Sequence, residues 1–440
     1  MLNAKDVKIW ELLLDFRILL CDTATCICEN QVNIMIMKKY PGNNMKNYFD
    51  EVEEKVYRYR KSHPDRPYRA ASHLMLWCFK SLFRRLRVDK TIDDIKSKSV
   101  TIYNKSILFN LNGGLGDIVI AINFLIQLHA KYGAGFTFYI SVPSVFYDAT
   151  RVLIQKYSFL KLFDGKSGGA NVFVAEINLC RVPQIVSVDI TAIANESMPL
   201  AEWARHVYDF NKKYPEYLKS GTTGDFLLTN FTKLAGRNRL SQADIDDLVG
   251  IKTVYELPTD SEKSVLKKYG LDGNKYITLQ CGIGALSGSG LSTREWHVEK
   301  YNELIRLIKN HNKNIILVQI GTENDPAMAV DIDLRGKTTF NEFLVVLKNA
   351  KLHIGGESGC VHMRHFMGAR PSAVLFGPTF KDFYAYNENI NISSGVCPGC
   401  EWLHSGWREM CIKTGKLQSA CLEKIMPEHV FEQIKQFIEK

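Results

Sequence analysis

The sequence lacks a long hydrophobic segment. No run of about 18 uncharged apolar residues occurs in the 440-residue chain. The first residues do not show a basic region, an apolar core and a small-residue cleavage site in series. The nearest candidate, residues 10–20, is interrupted by Glu11, Asp15 and Arg17. We therefore expect a globular cytoplasmic protein rather than a secreted or membrane-spanning one.

Internal repeats and low-complexity tracts are also missing, which argues against a solenoid. With 46% hydrophobic residues and this length, the chain can form two ordinary domains and an appendage. The formal net charge of +9 is concentrated partly in residues 55–105. Within them, residues 74–90 have the pattern of a basic amphipathic helix, which either packs on the main body or lies on an anionic membrane. We expect no nucleic acid partner.

Strand, glycine loop and helix patterns alternate from residue 104 onward, which predicts an α/β fold with two halves joined near Pro258. We expect an N-terminal helical extension at 1–103, a first Rossmann-like domain at 104–257 and a second at 258–440. The predicted strands are 107–111, 136–142, 172–174, 185–188, 276–279, 315–320 and 373–376. The predicted helices are 118–130, 298–309 and 340–349, with a polar helical stretch at 202–248.

The first glycine loop reads Gly113-Gly114-Leu115-Gly116-Asp117 and lacks the G-x-G-x-x-G spacing of dinucleotide-binding proteins. The next strand is followed by no acidic residue that could hold a ribose, so a nicotinamide enzyme is disfavoured. Such glycines let a ligand approach the backbone closely. Asp117, in the first helical turn, is either a general base or an acid that caps its helix.

A second junction, residues 354–379, places Glu357, Ser358, Gly359 and His362 between an apolar strand and a helix start. Unpaired N–H groups and the helix dipole favour an anion there, most often a phosphate. His362 lies one turn above Ser358 and adds a potential donor. The alternative is that Ser358 only caps the helix and that His362 is an ordinary satisfied histidine.

Two further charges follow segments of the second half. Arg294 ends a loop rich in serine and glycine, at 281–293, and Glu323 follows the predicted strand at 315–320. Arg294 is suited to a diphosphate and Glu323 to sugar hydroxyls. Either residue alone would more often be a surface charge.

Eleven cysteines in a cytoplasmic chain do not predict a disulfide framework. Four of them, in the predicted cysteine-rich loop at 395–422, have the spacing of a tetrahedral thiolate site: Cys397, Cys400, Cys411 and Cys421. Zinc is the first expectation and iron also suits four thiolates. The alternative is four reduced cysteines packed in a loop. Cys21, Cys26 and Cys28 lack a fourth ligand nearby and are interpreted as buried or free.

These motifs together resemble glycosyltransferase family 9, the ADP-heptose:lipopolysaccharide heptosyltransferases. The resemblance covers about residues 104–440. It is carried by residues 112–117, by Gly356-Glu357-Ser358-Gly359 with His362, and by residues 375–379. The four cysteines resemble those of the protein-heptosylating members, which implies bound iron. The loop at 281–293 looks longer than usual for the family, and residues 1–103 have no counterpart in it.

The resemblance implies a GT-B fold and inverting transfer of a heptose or related sugar from a nucleoside diphosphate-sugar. Asp117 then matches the catalytic base. The matches to donor-binding positions are Gly113, Gly114, Gly116, Arg294, Glu323, Glu357, Ser358, Gly359 and His362. No catalytic metal is implied, and the acceptor would be a bacterial surface glycan, a lipid-linked glycan or a protein. The alternatives are a UDP- or GDP-sugar donor, or a non-catalytic nucleotide- or glycan-binding module.

Overall fold

The computed structural model describes residues 101–164, 171–218, 222–253, 255, 262–282, 292–369, 371–404 and 406–439. The predicted helical extension, the basic segment 74–90 and the three N-terminal cysteines lie outside these residues. The predicted domain junction near Pro258 does so too. Their structural interpretation therefore stays a prediction.

The first half is built on a five-stranded sheet. Its strands are β1 (Thr101–Asn110), β2 (Thr137–Ser141), β3 (Leu160–Leu162), β4 (Asn171–Leu179) and β5 (Pro183–Val188), in the order β3-β2-β1-β4-β5. Strands β1 to β4 run parallel, whereas β5 pairs antiparallel with β4. Only residues 180–182 join β4 to β5, and so short a connection permits a hairpin but no crossover. The parallel pattern that the sequence predicted therefore ends at β4.

Helices cover this sheet. They are α1 (Leu115–Tyr132), α2 (Tyr147–Ile154), α3 (Ile190–Glu196), α4 (Met198–Lys213) and α5 (Thr222–Leu234), with short 3₁₀ turns at Ser144–Phe146, Pro215–Leu218 and Ile245–Asp247. The centre of α1 is buried on nearly every side, because its apolar run packs between the sheet and the second half.

The second half is built on a six-stranded parallel sheet. Its strands are β6 (Tyr276–Gln280), β7 (Ile316–Gln319), β8 (Ile332–Asp333), β9 (Leu352–Gly356), β10 (Ser372–Phe376) and β11 (Ile390–Ser393), in the order β11-β10-β9-β6-β7-β8. Every residue of β6 and β10 is buried, as expected for parallel strands covered on both faces.

The helices of this half are α6 (Glu262–Lys268), α7 (Val298–His311), α8 (Phe340–Asn349), α9 (Gly359–Phe366), α10 (Lys381–Tyr384), α11 (Ala420–Glu423) and α12 (Pro427–Ile438). Helix α8 has the predicted bounds because Thr339 and Glu342 form a capping box at its start. The predicted α/β architecture with two sheets is confirmed. None of the described helices is long and apolar enough to cross a membrane.

The two halves approach most closely where α1 meets α9. A Cβ atom added to Gly116 would lie 2.6 Å from His362 Cδ2 and 3.1 Å from Gly359 Cα. A Cβ atom on Gly359 would lie 3.3 Å from the backbone nitrogen of Gly116. These two glycines therefore allow the starts of the two helices to meet backbone to backbone.

Candidate active site

Charged residues gather at the carboxyl ends of the strands in both sheets. Asp117 follows β1, Arg181 follows β4, Glu357 follows β9 and Glu401 follows β11. The carboxyl ends of parallel strands form the usual ligand crevice of open α/β sheets. Because the charges from the two sheets interact with one another, they form one cluster.

Asp117 lies in the first turn of α1 and has two strong partners. Its Oδ2 accepts a hydrogen bond from the backbone N–H of Gly114 at 3.0 Å, and its Oδ1 pairs with Arg239 Nη2 at 2.6 Å. Burial raises the pKa of Asp117, but Arg239, Arg181 and the Gly114 N–H outweigh burial and leave that pKa below its ordinary value. The side chain is still 38% exposed. Asp117 thus caps its helix and also presents an ionised carboxylate.

The glycines of the first loop make room for this carboxylate. A Cβ atom on Gly113 would lie 2.4 Å from Asp117 Cβ, and Gly114 is the N-cap of α1. Gly116 faces the second half, as described above. In the structure Gly113 and Gly116 leave room for neighbouring groups and Gly114 donates its N–H to Asp117, and the contact of all three with a donor stays a prediction.

Helix α9 begins with Ser358 as its N-cap, but the Ser358 hydroxyl does not cap the helix. Its Oγ instead donates to Gln280 Oε1 at 3.0 Å, at the end of β6. The side chain therefore ties the helix start to the neighbouring strand. The N–H groups of the first turn do not donate to Ser358 Oγ, so the start of the helix remains suited to binding an anion.

Glu357 connects the predicted arginine with the predicted histidine. Its Oε2 pairs with Arg294 Nη2 at 2.7 Å, and its Oε1 lies 3.1 Å from His362 Nε2. His362 Nδ1 lies 2.8 Å from the hydroxyl of Tyr386. Burial raises the pKa of Tyr386, so the phenol stays protonated and its O–H donates a hydrogen bond to Nδ1. The Nε2–H of His362 then donates a hydrogen bond to Glu357 Oε1.

This chain of hydrogen bonds determines how the predicted residues can act. Both ring nitrogens of His362 have protein partners, so a direct bond from His362 to a donor stays a prediction. Burial raises the pKa of Glu357, but Arg294 and His362 outweigh it and lower that pKa. Glu357 is therefore a buried anion that holds Arg294 in place.

Glu323 occupies a different environment. It is exposed in the turn after β7, whereas the neighbouring Asp325 is buried and accepts hydrogen bonds from the N–H and hydroxyl of Thr322 at 3.1 and 2.7 Å. A Cβ atom on Gly321 would lie 2.1 Å from Asp325. The structure thus places Asp325 inside this turn and Glu323 on its surface.

Four residues of the charged cluster were not predicted. Arg239 is buried, contacts Asp117 and donates its backbone N–H to Phe383 O at 2.9 Å, so it joins the two halves. Arg181 pairs with Asp225 Oδ1 at 3.0 Å, and Tyr384 donates to Glu401 Oε1 at 2.9 Å. Arg181 and Glu401 could have been found from the sequence. Arg181 lies two residues after β4, and Glu401 directly follows the turn from Cys397 to Cys400. Arg239 has no such signal in its local sequence.

The four predicted cysteines come together beside this cluster. Cys397, Cys400, Cys411 and Cys421 line a cavity of about 240 Å³, which Thr293 and Pro378 also line. The Sγ of Cys411 accepts a hydrogen bond from the Ala420 N–H at 3.5 Å. No group of three or more His, Cys, Asp or Glu residues in the described part of the chain is arranged to hold a metal ion. The predicted proximity is confirmed, and the metal itself stays a prediction.

Comparisons with known proteins gave the following similarities. Among solved structures, the chain is similar to a family 9 glycosyl transferase from Veillonella parvula, with 15% identity over 76% of this chain and 98% of that chain and a TM-score of 0.47. The chain is also similar to E. coli ADP-heptose lps heptosyltransferase II, with 13% identity over 76% of this chain and 98% of that chain and a TM-score of 0.45. It is similar to the iron-containing dodecameric glycosyltransferase TibC of enterotoxigenic E. coli, with 12% identity over 78% of this chain and 78% of that chain and a TM-score of 0.49. No curated protein matches the chain.

The family comparison locates the relationship in the second half. Residues 252–401 match the model described as Glycosyltransferase family 9 (heptosyltransferase). The matched residues include Arg294, Glu357, His362 and Glu401 of the charged cluster. The similarity to glycosyltransferase family 9 is thus shown for residues 252–401.

Proposed function

We propose that this glycosyltransferase is an inverting GT-B enzyme that moves a heptose or related sugar from a nucleoside diphosphate-sugar, with ADP-heptose as the first donor to test. The acceptor is a hydroxyl of a bacterial surface glycan such as the lipopolysaccharide core, of a lipid-linked glycan or of a protein. We place the enzyme in the cytoplasm, at the inner face of the bacterial inner membrane if residues 74–90 bind anionic lipid.

One observation carries the proposal: the partly exposed carboxylate of Asp117 and the Arg294–Glu357 pair belong to one charged cluster. The charge of Arg294 interacts with both Glu357 and Asp117, and Asp117 belongs to the opposite half. Arg294 is suited to a phosphate because its guanidinium binds oxyanions in a forked geometry. A base and a phosphate-binding group on opposite sides of one crevice are what inverting transfer requires.

The reaction follows from these roles. The Asp117 carboxylate takes the proton of the acceptor hydroxyl while the acceptor oxygen forms a bond to the anomeric carbon. The bond from that carbon to the diphosphate oxygen breaks on the opposite face, and its electron pair leaves with the nucleoside diphosphate. Arg294 and the N–H groups at the start of α9 stabilise the departing charge, so no catalytic metal is required.

A panel of nucleotide-sugars tests the proposal. Purified protein is incubated with ADP-, UDP- and GDP-sugars and acceptor, and released nucleoside diphosphate is measured. Release from the ADP-sugar supports the proposal, and release from a UDP- or GDP-sugar moves it to another GT-B donor. Binding without release from any donor would favour a non-catalytic module, in which Asp117 only caps its helix.

We also propose that Cys397, Cys400, Cys411 and Cys421 hold one structural zinc or iron ion. Four thiols on one cavity are a suitable donor set, and the N–H bond to Cys411 Sγ suits a thiolate. The bound ion would cross-link the segment between β11 and α12 and thereby stabilise the fold.

Metal analysis of the purified protein checks this second proposal. We expect about one ion per chain, together with a lower melting temperature after chelation. The C400S variant should lose the ion, whereas C281S, which alters a buried cysteine elsewhere, should retain it. Metal-free protein with an unchanged melting temperature in chelator would contradict the site.

A further inference from the structure

Glu401 is a buried carboxyl group that the proposed reaction does not yet use. It directly follows the first cysteine turn and is only 4% exposed. Its charge interacts with Arg181 from the first half and with Glu357 and Arg294 from the second. The cysteine-rich segment therefore contributes a side chain to the same cluster that contains the base and the phosphate-binding arginine.

Only one oxygen of Glu401 has a protein partner. Its Oε1 accepts the Tyr384 hydroxyl, while Oε2 is buried and has no hydrogen-bond partner among the described residues. A buried polar atom without a partner is costly, and the cost is larger for a group that can carry charge. A water, an ion or a ligand group can supply the missing partner of such an atom.

Two residues close to Glu401 in sequence also carry polar atoms of this kind. Trp402 Nε1 and His404 Nε2 are also buried without a partner among the described residues. The Trp402 ring packs under the guanidinium of Arg181, at 4.8 Å from ring centroid to Cζ, so this segment contacts the first half. Glu401 Oε2 is an acceptor without a partner among the described residues, and a hydroxyl group can donate to it.

We propose that Glu401 is a substrate-binding residue whose Oε2 forms a hydrogen bond with a hydroxyl group of the sugar or of the acceptor. The inference rests on the proposed transferase function and deepens it. It gives the cysteine-rich segment a second role, because the segment then forms a wall of the substrate site as well as a cross-link. Positions 401 and 402 would read the hydroxyl pattern, whereas Arg294 would read only the phosphates.

The test uses full-length protein as purified, with its native metal content. Two variants alter Glu401: E401Q keeps the shape and one acceptor oxygen, and E401M fills the volume without a polar atom. E409Q is the matched control, because Glu409 is an exposed acid of the same segment. Y384F removes the partner of Oε1 and leaves Oε2 untouched. For each variant we measure the melting temperature, the affinity for the nucleoside diphosphate, the affinity for the matching nucleotide-sugar, and the acceptor KM.

Two outcomes support the proposal and identify the hydroxyl. If Oε2 binds the donor sugar, E401M binds the nucleotide-sugar roughly 10- to 100-fold more weakly while nucleoside diphosphate affinity is unchanged, and E401Q lies between E401M and wild type. If Oε2 binds the acceptor, both affinities are unchanged and the acceptor KM rises by a similar factor. E409Q should match wild type in every measurement.

Other outcomes overturn it. Wild-type kinetics in E401M would remove the role of Glu401 and leave the transferase function standing. A lower melting temperature with equal losses for diphosphate and nucleotide-sugar, shared by Y384F, would mean that Glu401 only supports the fold. If wild-type protein neither binds nor turns over any nucleotide-sugar, the transferase function and this inference both fail.

Discussion

Two arginine–carboxylate pairs lie at equivalent places in the two halves, and they differ in exposure. In the first half Asp117 pairs with Arg239 at the start of α1, and in the second half Glu357 pairs with Arg294 just before α9. The Asp117 side chain is 38% exposed and that of Arg239 only 5%. In the second pair the order is reversed, with Glu357 at 7% and Arg294 at 20%.

This reversal assigns a chemical task to each pair. In the first pair the acid is accessible and the buried arginine supports it, so the acid can meet an acceptor hydroxyl. In the second pair Arg294 is the more exposed partner and the buried Glu357 holds it in place, so the arginine can contact a phosphate. The same ion pair thus presents opposite charges to the crevice, depending on which partner is buried.

The largest effect should come from removing the accessible acid. We expect D117N to reduce kcat by roughly 10²- to 10⁴-fold, because general base catalysis contributes that much. Nucleoside diphosphate affinity should stay near wild type, since the phosphates contact the other pair. Steady-state kinetics and calorimetric titration check both statements, with D148N as the control because the Asp148 side chain is 90% exposed. Full turnover in D117N would contradict the proposed base.

Removing the accessible arginine should have the next largest effect. We expect R294Q to lower kcat/KM for the donor by roughly 10²- to 10³-fold, as for loss of one group that stabilises developing charge. Nucleoside diphosphate affinity should fall as well, which separates this variant from D117N. The control is R306Q, an exposed arginine paired with Glu303 on α7. Unchanged diphosphate binding in R294Q would place the phosphates elsewhere.

Removing Arg239 should change the pH dependence. The pKa of Asp117 is held below its ordinary value, so wild-type protein keeps this base ionised from neutral pH down to the acid range. In R239Q burial is no longer opposed by this cation. The pKa of Asp117 should then rise, because burial disfavours the charged form.

The expected result for R239Q is an acid limb of kcat/KM at higher pH than in wild type, with R239K close to wild type. The stabilising contribution of the pair has the same sign, since a lowered folded-state pKa stabilises the fold above the unfolded pKa. That contribution is lost as the pH falls through the folded-state value. A pH–rate profile of the three proteins measures the limb, and an identical limb in all three would exclude this role of Arg239.

The smallest effect should come from removing the Tyr386 hydroxyl, which reaches the Arg294–Glu357 pair only through His362. Y386F removes the hydroxyl that donates to His362, which costs about 0.5–1.5 kcal/mol for one hydrogen bond. Because the effect reaches the ligand through Glu357 and Arg294, donor affinity should fall by no more than about tenfold. The control Y276F removes a hydroxyl bonded to Val346 O, at the other end of β6. Equal donor affinities in Y386F and Y276F would mean that the Tyr386 hydroxyl does not affect donor binding.

Local patterns predicted much of this molecule. The carboxyl ends of β1 and β9 and the start of α9 are marked by apolar runs, glycines and a serine within a few residues. Asp117, Glu357 and Ser358 could therefore be named from the sequence. The predicted bounds of α8, 340–349, agree with the structure to the residue.

Contacts between distant residues could not be predicted in this way. Arg239 lies 122 positions from Asp117 and reaches it only through the tertiary fold of the first half. The hydrogen bond of Ser358 with Gln280 depends on β6 and β9 being neighbours in the sheet. The exposure of Glu323 and the burial of Asp325 follow from a turn whose geometry the sequence pattern did not specify.

The contact between Gly116 and Gly359 has a consequence for how far the two halves can close. Their separation at this point is limited by main-chain atoms, which cannot adjust by rotamer changes as side chains do. A methyl group on Gly116 would lie 2.6 Å from His362 Cδ2. His362 belongs to the chain of hydrogen bonds that leads through Glu357 to Arg294. The smallest substitution in this molecule would thus widen the distance between acid and arginine, and reaction geometry tolerates only about an ångström of such misplacement.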